Sequence, residues 1–198
     1  MIKSKYSEAF RALSKKEVFS SAEGREAGMP PRMLSYFCSK GIIEKICHGI
    51  YKIKNLDFGA AFEWEELALT ALSIPKGVIC LISALCYYDL TDEIMREFWI
   101  AIPHEKAAPS RENSRIIRMR NSSFGQITIK MGSSHVKIFD RERTVVDAFR
   151  FLDKETALKA LKNYLKGSQE SKPDIDKLLE YAKKLRVDLI PYISAFIL

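Results

Sequence analysis

The sequence predicts an α+β fold, in which a small head of helices and a β-hairpin precedes a mixed α/β domain that ends in helices. Apolar residues recur at helical spacing near both ends of the chain, and short alternating runs typical of strands lie between them. The charge also changes sign along the chain. Residues 1–55 hold eleven basic and five acidic residues, residues 56–100 hold two and eight, and residues 101–198 hold nineteen and twelve. We therefore predict two domains, 1–55 and 56–198.

The head begins with two predicted helices. An apolar stripe at i, i+3, i+4 and i+7 indicates a helix over residues 4–13. The stripe is formed by Tyr6, Ala9, Phe10 and Leu13. Residues 17–19 are consistent with a brief strand. Ser20 and Ser21 can accept a hydrogen bond from the first turn of a second, short helix, which we expect to end near Gly28.

A third helix and a hairpin complete the head. Pro31 fits the first turn of a helix over residues 31–39, because its missing N–H has no acceptor there. Two alternating runs, 42–46 and 50–53, flank the link Cys47-His48-Gly49 and indicate a β-hairpin. Helix, helix, turn, helix and hairpin is the order of a winged helix-turn-helix, whose second paired helix enters the DNA major groove.

In the second domain, segments with the helical period of 3.6 residues alternate with segments that have the strand period of two. We expect a linker at 54–62, a helix at 63–72, and a stretch at 78–90 that begins extended and turns helical near Ser83. Further strands are predicted at 98–102, 116–119, 126–131 and 136–139. Helices are predicted at 140–152, 157–165, 175–185 and 187–198.

Three stretches carry a family resemblance. Gly41–Tyr51 ends in Gly-aliphatic-Tyr, Val78–Leu90 is followed by the strand Trp99–Pro103, and Phe139–Ala148 contains Asp-x-Glu-Arg-Thr-x-x-Asp. In this order they resemble the AbiEi-type antitoxin and transcriptional regulator family of type IV toxin–antitoxin systems. The resemblance covers about residues 5–155. It implies a winged-helix repressor of its own promoter, bound at inverted repeats. It also implies a nucleotidyltransferase-type toxin, which is countered without a stable protein complex.

Seven residues are predicted to contact DNA. Four of them lie mostly off the apolar stripe of the third helix, and arginine there can contact guanine while lysine and serine suit phosphates. They are Arg32, Ser35, Tyr36 and Lys40. The hairpin adds Lys45, His48 and Lys52, which would follow the DNA backbone or the minor groove. The alternatives are a solvated helix face and lysine protection of an edge strand.

An acidic and basic cluster at the start of the 140–152 helix has two interpretations. Asp140, Glu142 and Asp147 could supply paired catalytic carboxylates. The structural interpretation is better, because Asp140 can cap the helix while Arg143 and Asp147 form an i, i+4 pair. We therefore predict a structural junction of Asp140, Arg143 and Asp147.

We predict that the chain is not an enzyme. A DNA-processing protein with a nuclease-like tail remains the alternative, because residues 173–177 faintly resemble a PD-(D/E)xK motif. That motif needs its second acid and its lysine on a strand, whereas a helix is predicted here. A third possibility is an interaction protein whose head binds protein.

No metal and no cofactor are predicted. The four cysteines form no CxxC pair, and the set Cys38, Cys47 and His48 lacks the close ligand pairs of structural zinc sites. The longest near-apolar run is Val78 to Tyr88, about half of the ~20 residues that span a bilayer. We expect a cytoplasmic protein that binds double-stranded operator DNA, as a monomer in solution or by pairing on DNA.

Overall fold

The computed structural model describes residues 6–16, 18–47, 49–54, 62–131, 134–167 and 172–197. The chain is a mixed α+β protein, as predicted, because it contains helices together with an antiparallel sheet and a mixed sheet. The chain forms two compact units, Met1–Pro75 with Ile129–Val136 and Lys76–Thr128 with Lys137–Leu198. The predicted boundary at residue 55, and most of the predicted linker, fall in the stretch 55–61, which lies outside the described residues.

The N-terminal segment of the first unit, up to Pro75, contains four helices and three short strands in its described part. The helices are α1 (Ser7–Leu13), α2 (Ser21–Glu26), α3 (Pro31–Ser39) and α4 (Phe62–Ser73). The strands are β1 (Phe19–Ser20), β2 (Ile43–Cys47) and β3 (Ile50–Ile53). They form an antiparallel sheet in the order β1-β3-β2. Buried apolar residues from α1, α3, the turn before α3 and the sheet form one core. This is the predicted order of the head.

The remaining elements form a second sheet and a layer of helices. The strands are β4 (Val78–Ile79), β5 (Phe98–Pro103), β6 (Ser114–Met119), β7 (Gln126–Met131) and β8 (Ser134–Phe139). The helices are α5 (Leu81–Tyr87), α6 (Arg141–Phe151), α7 (Lys154–Lys166), α8 (Ile175–Leu185) and α9 (Ile190–Ile197). The strand order is β6-β5-β4-β8-β7. Strand β4 is antiparallel to β5 and parallel to β8, whereas β5 and β6 are parallel.

Several element boundaries differ from the predicted ones by one to three residues, and three of them have a clear local description. The brief strand lies at Phe19–Ser20 rather than at 17–19. Helix α5 begins two residues early, because Ser83 already lies in its first turn and accepts a 2.8 Å hydrogen bond from the Trp99 N–H. Helix α9 begins late, because the Val187 N–H still donates to the Ala182 carbonyl at the end of α8.

Of the helices in the described part of the chain, none combines the length and the apolar composition that a membrane span requires. Helices α5 to α9 instead share an apolar core in the second unit. The packed residues include Leu85, Val145, Leu161, Leu178 and Ile193.

The turn between α2 and α3 is closed by backbone hydrogen bonds. The Met29 N–H donates to the Gly24 carbonyl (2.7 Å), and the Gly28 N–H donates to the Arg25 carbonyl (2.9 Å). Together they form a Schellman motif, which requires a left-handed residue just after the helix. Gly28 supplies it with φ +88°. Pro30 and Pro31 then begin α3 at once, so the angle between the two helices is set locally.

Replacing Gly28 by alanine is expected to lower the free energy of unfolding by about 1–2 kcal/mol, the ordinary penalty of a Cβ in the left-handed region. No atom lies within 4 Å of the position that this Cβ would take, so the loss reports backbone strain alone. Urea unfolding of the full chain measures it. Gly28→Asn is the control, because asparagine tolerates this region, and it should lose less than Gly28→Ala. If both variants lost the same free energy of unfolding, the loss would not come from left-handed backbone strain at position 28.

Candidate nucleic-acid interface

Helix α3 is held by its buried side. Leu34 is fully buried and Phe37 is 5% exposed. Leu34 packs against Gly24 of α2, where an added Cβ would come 3.2 Å from the Leu34 Cδ1 atom. Phe37 meets the rings of Tyr6 and Phe10 edge-on, at centroid distances of 6.0 and 4.8 Å. Contacts with both neighbouring helices therefore fix which face of α3 points outward.

The outward face of α3 carries the predicted polar, aromatic and basic side chains. All four are exposed, and they are Arg32, Ser35, Tyr36 and Lys40. The Tyr36 side chain is 48% exposed, and the Lys40 ammonium lies 5.8 Å from its ring centroid. No acidic residue lies on α3. Among the ion pairs formed within the described residues, none includes Arg32 or Lys40.

A shallow cleft opens beside this face. Its volume is about 430 Å³, and it is lined by Tyr6, Pro30, Arg32, Met33 and Tyr36. The cleft places an arginine next to aromatic and aliphatic surface. The arginine guanidinium can donate two hydrogen bonds to a base, and the neighbouring apolar surface can contact a thymine methyl group. These are the two ways in which side chains read base edges.

The β2–β3 hairpin presents its three predicted contacts differently. Lys45 is exposed and lies opposite Tyr51 in the sheet. Lys52 is half-buried and forms an ion pair with Glu65 of α4, so its charge is partly neutralised. His48 lies outside the described residues. Lys45 is thus the hairpin cation whose side chain the structure shows exposed and without an ion-pair partner in the described part of the chain.

The hairpin and α3 lie close to each other. Burial raises the pKa of the Cys38 thiol on α3, and the positive charge of Lys45 opposes this shift. The chain between them is also closed by a hydrogen bond, because the Ile42 N–H, just before β2, donates to the Phe37 carbonyl of α3 at 3.0 Å. The strand pair is also fastened to the start of α2, because the Ser21 N–H donates to the Gly49 carbonyl at 2.8 Å. Lys45 therefore belongs to the same local surface as α3.

The sequence did not reveal two contacts of this head. The Lys52–Glu65 ion pair joins residues on either side of the predicted linker, so no local spacing indicates it. The close approach of α2 and α3 depends on Gly24, which lies inside a helix where glycine usually weakens the structure. A glycine in the middle of a short predicted helix is the signal that could have indicated close packing.

The two carboxylates at the start of α6, Asp140 and Glu142, are fully engaged in hydrogen bonds and ion pairs within the protein. The Asp140 Oδ1 atom accepts from the Arg143 N–H (2.9 Å), and its Oδ2 atom accepts from the Tyr181 hydroxyl (3.0 Å) and from Lys177 (3.1 Å). Glu142 accepts from the Tyr164 hydroxyl (2.8 Å) and from Lys177 (2.8 Å). Every oxygen of the two carboxylates thus has a donor within the protein.

The pKa of one of these tyrosines reflects the same environment. Burial and the nearby Asp140 carboxylate raise the pKa of Tyr181 to about 12. The hydroxyl therefore stays protonated and remains a donor to Asp140. Arg143 pairs with Asp147 at 2.7 Å, as the spacing predicts, and both side chains are buried. The role of Asp140, Arg143 and Asp147 as a structural junction stays a prediction, which is tested below.

The nuclease-like motif does not form a strand. Asp174 caps α8 by accepting from the Lys177 N–H at 2.9 Å, and Asp176 and Lys177 lie in the first turn of that helix. Lys177 is already paired with Asp140 and Glu142. The arrangement therefore lacks the strand on which such an active site presents its acid and lysine to a metal.

No metal centre is formed by the residues that the structure describes, since they contain no cluster of three or more potential ligands. Two members of the set Cys38, Cys47 and His48 fall outside those residues, namely His48 and the side chain of Cys47. Cys38, Cys80 and Cys86 are free thiols. Burial raises the pKa of all three, which disfavours the reactive thiolate.

The first unit places two helices at a tight turn, and a small antiparallel sheet follows them. The second of these helices exposes a basic face, which is typical of a DNA-binding head. Residues 8–53 match the family model described as a transcriptional regulator, AbiEi antitoxin. The match confirms the family resemblance over the head. The family is one of regulatory antitoxins rather than enzymes, which supports a DNA-binding regulator in general terms. No curated protein matches the chain.

Proposed function

We propose that this chain is a transcriptional repressor that binds its own operator through a winged helix-turn-helix, with α3 in the major groove. One observation carries the proposal: the outward face of α3 bears Arg32, Ser35, Tyr36 and Lys40, all exposed. Neither cation is neutralised by an acid in the described part of the chain. The family match over residues 8–53 supports the same conclusion.

The dimensions of α3 suit this role. A helix with its side chains is about 10–12 Å across, which the major groove admits because it is about 12 Å wide. Arg32 and Lys40 are eight residues apart, which corresponds to about 12 Å along the helix. With Arg32 near the helix start directed at base edges, Lys40 reaches the phosphates at the edge of the groove. We assign Arg32 to a bidentate contact with guanine, and Ser35, Tyr36 and Lys40 to backbone positions or neighbouring bases.

The hairpin is the proposed wing. Lys45 is free to contact a phosphate, and His48 lies at the tip of the hairpin in sequence. Lys52 shares its charge with Glu65, so we expect a smaller contribution from it. Two copies on an inverted repeat would supply the contact area that one small head lacks, because single modules bury only about 600–1,000 Å² on DNA.

The antitoxin part of the proposal rests on the family match. We propose that the chain counters a nucleotidyltransferase-type toxin without a stable complex, and that it acts in the cytoplasm. The chain would be a monomer in solution and would pair on DNA. Co-expression with the protein of the neighbouring reading frame tests this: rescue of growth is expected without co-purification. Failure of rescue would contradict the antitoxin role and leave the DNA-binding proposal intact.

Operator binding is tested with the full chain and its own upstream DNA. Fluorescence anisotropy at physiological salt should show a preference over a shuffled duplex of at least about 10³-fold, the lower end for specific regulators. Affinity should fall steeply with salt, because each neutralised phosphate releases counterions. A duplex with one half-site should bind fewer copies than the full repeat. Absence of any shift at low salt would contradict the proposal.

A further inference from the structure

An open cleft of about 390 Å³ lies at one end of the sheet of the second unit. The sheet register creates it. Strands β5 and β6 are parallel and end side by side, with Pro103 opposite Met119. Strand β4 is antiparallel to β5 and starts at the same end with Val78, opposite Ala101. Loops that are distant in the sequence therefore meet here. The cleft thus lies beyond the carboxyl ends of the parallel strands β5 and β6, a place where ligands of parallel strands commonly bind.

Three cations converge on this cleft. Lys76 precedes β4, Arg120 directly follows β6, and Lys137 lies on β8 one residue before the register pair Ile138–Ile79. All three side chains are exposed. No ion pair formed within the described ranges includes any of them, although many other basic residues of this unit are paired. The three charges are therefore available to a ligand.

Neutral donors complete the lining. Ser122, Ser123 and Gln126 also line the cleft, and their side chains carry hydroxyl and amide groups. Glu105 is the acidic residue that lines the cleft, so the side chains around it carry a net charge of two positive units. Hydroxyls and amides beside lysine and arginine are the usual partners of phosphoryl oxygens.

Lys76 is held in an unfavourable backbone conformation. Its φ is +60°, in the left-handed region that glycine and asparagine occupy most readily. Such conformations cost about 1–3 kcal/mol and cluster at ligand clamps and other functional sites. Here the conformation belongs to the turn that begins β4 and brings the lysine to the cleft.

We propose that this cleft binds a small ligand with two or more phosphoryl groups, such as a nucleoside di- or triphosphate. Its volume lies within the range of about 300–1,000 Å³ typical of small-molecule sites. Its surplus of positive charge requires an anion with several charges. A concave site surrounds such a ligand, whereas duplex DNA presents its phosphates on a convex surface. The proposal does not depend on operator binding by the head.

Isothermal titration calorimetry of the full chain tests the site, with ATP, UTP and pyrophosphate as separate probes. The test variant combines Lys76→Asn, Arg120→Gln and Lys137→Gln, because asparagine keeps the left-handed backbone at position 76. The control combines Lys162→Gln, Lys166→Gln and Lys183→Gln, which removes the same charge from exposed positions. We expect the test variant to weaken binding at least about tenfold relative to the control.

The probes and the controls separate the outcomes. Tighter binding of nucleotides than of pyrophosphate supports a nucleotide, and equal binding supports an inorganic oligophosphate. Absence of heat with all three probes overturns the proposal, and so does equal weakening in test and control variants. If no probe binds while the test variant alone loses operator affinity, the cleft is a DNA backbone contact and the proposal is wrong. Should the test variant melt early, Lys137→Gln alone replaces it.

Discussion

Replacing Arg143 by alanine is expected to lower the free energy of unfolding by about 3–5 kcal/mol, the usual result of breaking a buried ion pair from one side. The side chains of Arg143 and Asp147 are 1% and 0% exposed. Without the arginine, the negatively charged Asp147 carboxylate would remain in the core and would lack its buried cation. Its other partner is Arg150, at 2.6 Å, whose side chain is 31% exposed and therefore compensates less.

The Arg143 guanidinium does more than neutralise Asp147. Its Nη1 atom donates to the carbonyls of Asn121 (3.1 Å) and Phe124 (2.8 Å), which lie in the loop between β6 and β7. Its Cζ atom also lies 4.6 Å from the ring centroid of Phe139. Alanine would leave both carbonyls without this donor. Both hydrogen bonds are partly buried, so their loss adds to the loss of the ion pair.

The loop can approach Arg143 because residue 125 is glycine. Gly125 has φ +67°, and a Cβ there would come 2.9 Å from the Arg143 Cβ atom. The Asp140 N–H donates to the Gly125 carbonyl at 2.8 Å, so the loop also joins the start of α6. Arg143 thus connects the strand end, the loop and the helix, which is the physical content of the predicted junction.

Urea unfolding of Arg143→Ala, Asp147→Ala and the double variant measures this coupling. The double variant should lose clearly less than the sum of the two single variants, because removing Asp147 removes the stranded charge. Arg118→Ala is the control, an exposed arginine on β6, and we expect it to change stability by no more than about 0.5 kcal/mol. Additive single losses, or an equal loss in the control, would contradict a junction role.

Local pattern was sufficient for the elements that depend on a few neighbouring residues. The proline at the start of α3 and the glycine that ends α2 fix that turn through backbone geometry alone. The Arg143–Asp147 pair follows from i, i+4 spacing on one helix. Such features carry their own cause in the sequence, so they could be predicted from it.

Features that depend on strand order could not be predicted in this way. The contact of Arg143 with the Phe124 carbonyl needs the β6–β7 loop to cross α6. The cleft needs Lys76, Arg120 and Lys137 at one sheet end, which follows from the order β6-β5-β4-β8-β7. Periodicity identifies strands but does not order them. Of the basic residues in the C-terminal part, Arg120 and Lys137 come together at one end of the sheet only because of this strand order.

The double substitution Arg32→Ala/Lys40→Ala is expected to weaken operator binding by roughly 10²–10³-fold. One bidentate arginine–guanine contact is worth about 1–3 kcal/mol of discrimination, and each lost phosphate contact lowers affinity further at physiological salt. Both residues are exposed and lie outside the core, so the fold of the head should not change. Leu34 and Phe37 keep α3 in place in the variant.

The matched control is Arg11→Ala/Lys15→Ala, which removes one arginine and one lysine from exposed positions in the same unit but not on α3. Anisotropy against the operator and a shuffled duplex separates the two roles. Arg32→Ala alone should reduce the preference for the operator, because a base contact carries sequence information. Lys40→Ala alone should weaken both duplexes similarly and reduce the salt slope by about 1. If the control pair loses as much affinity as the α3 pair, the head binds DNA by net charge alone, and α3 is not the helix that reads the operator.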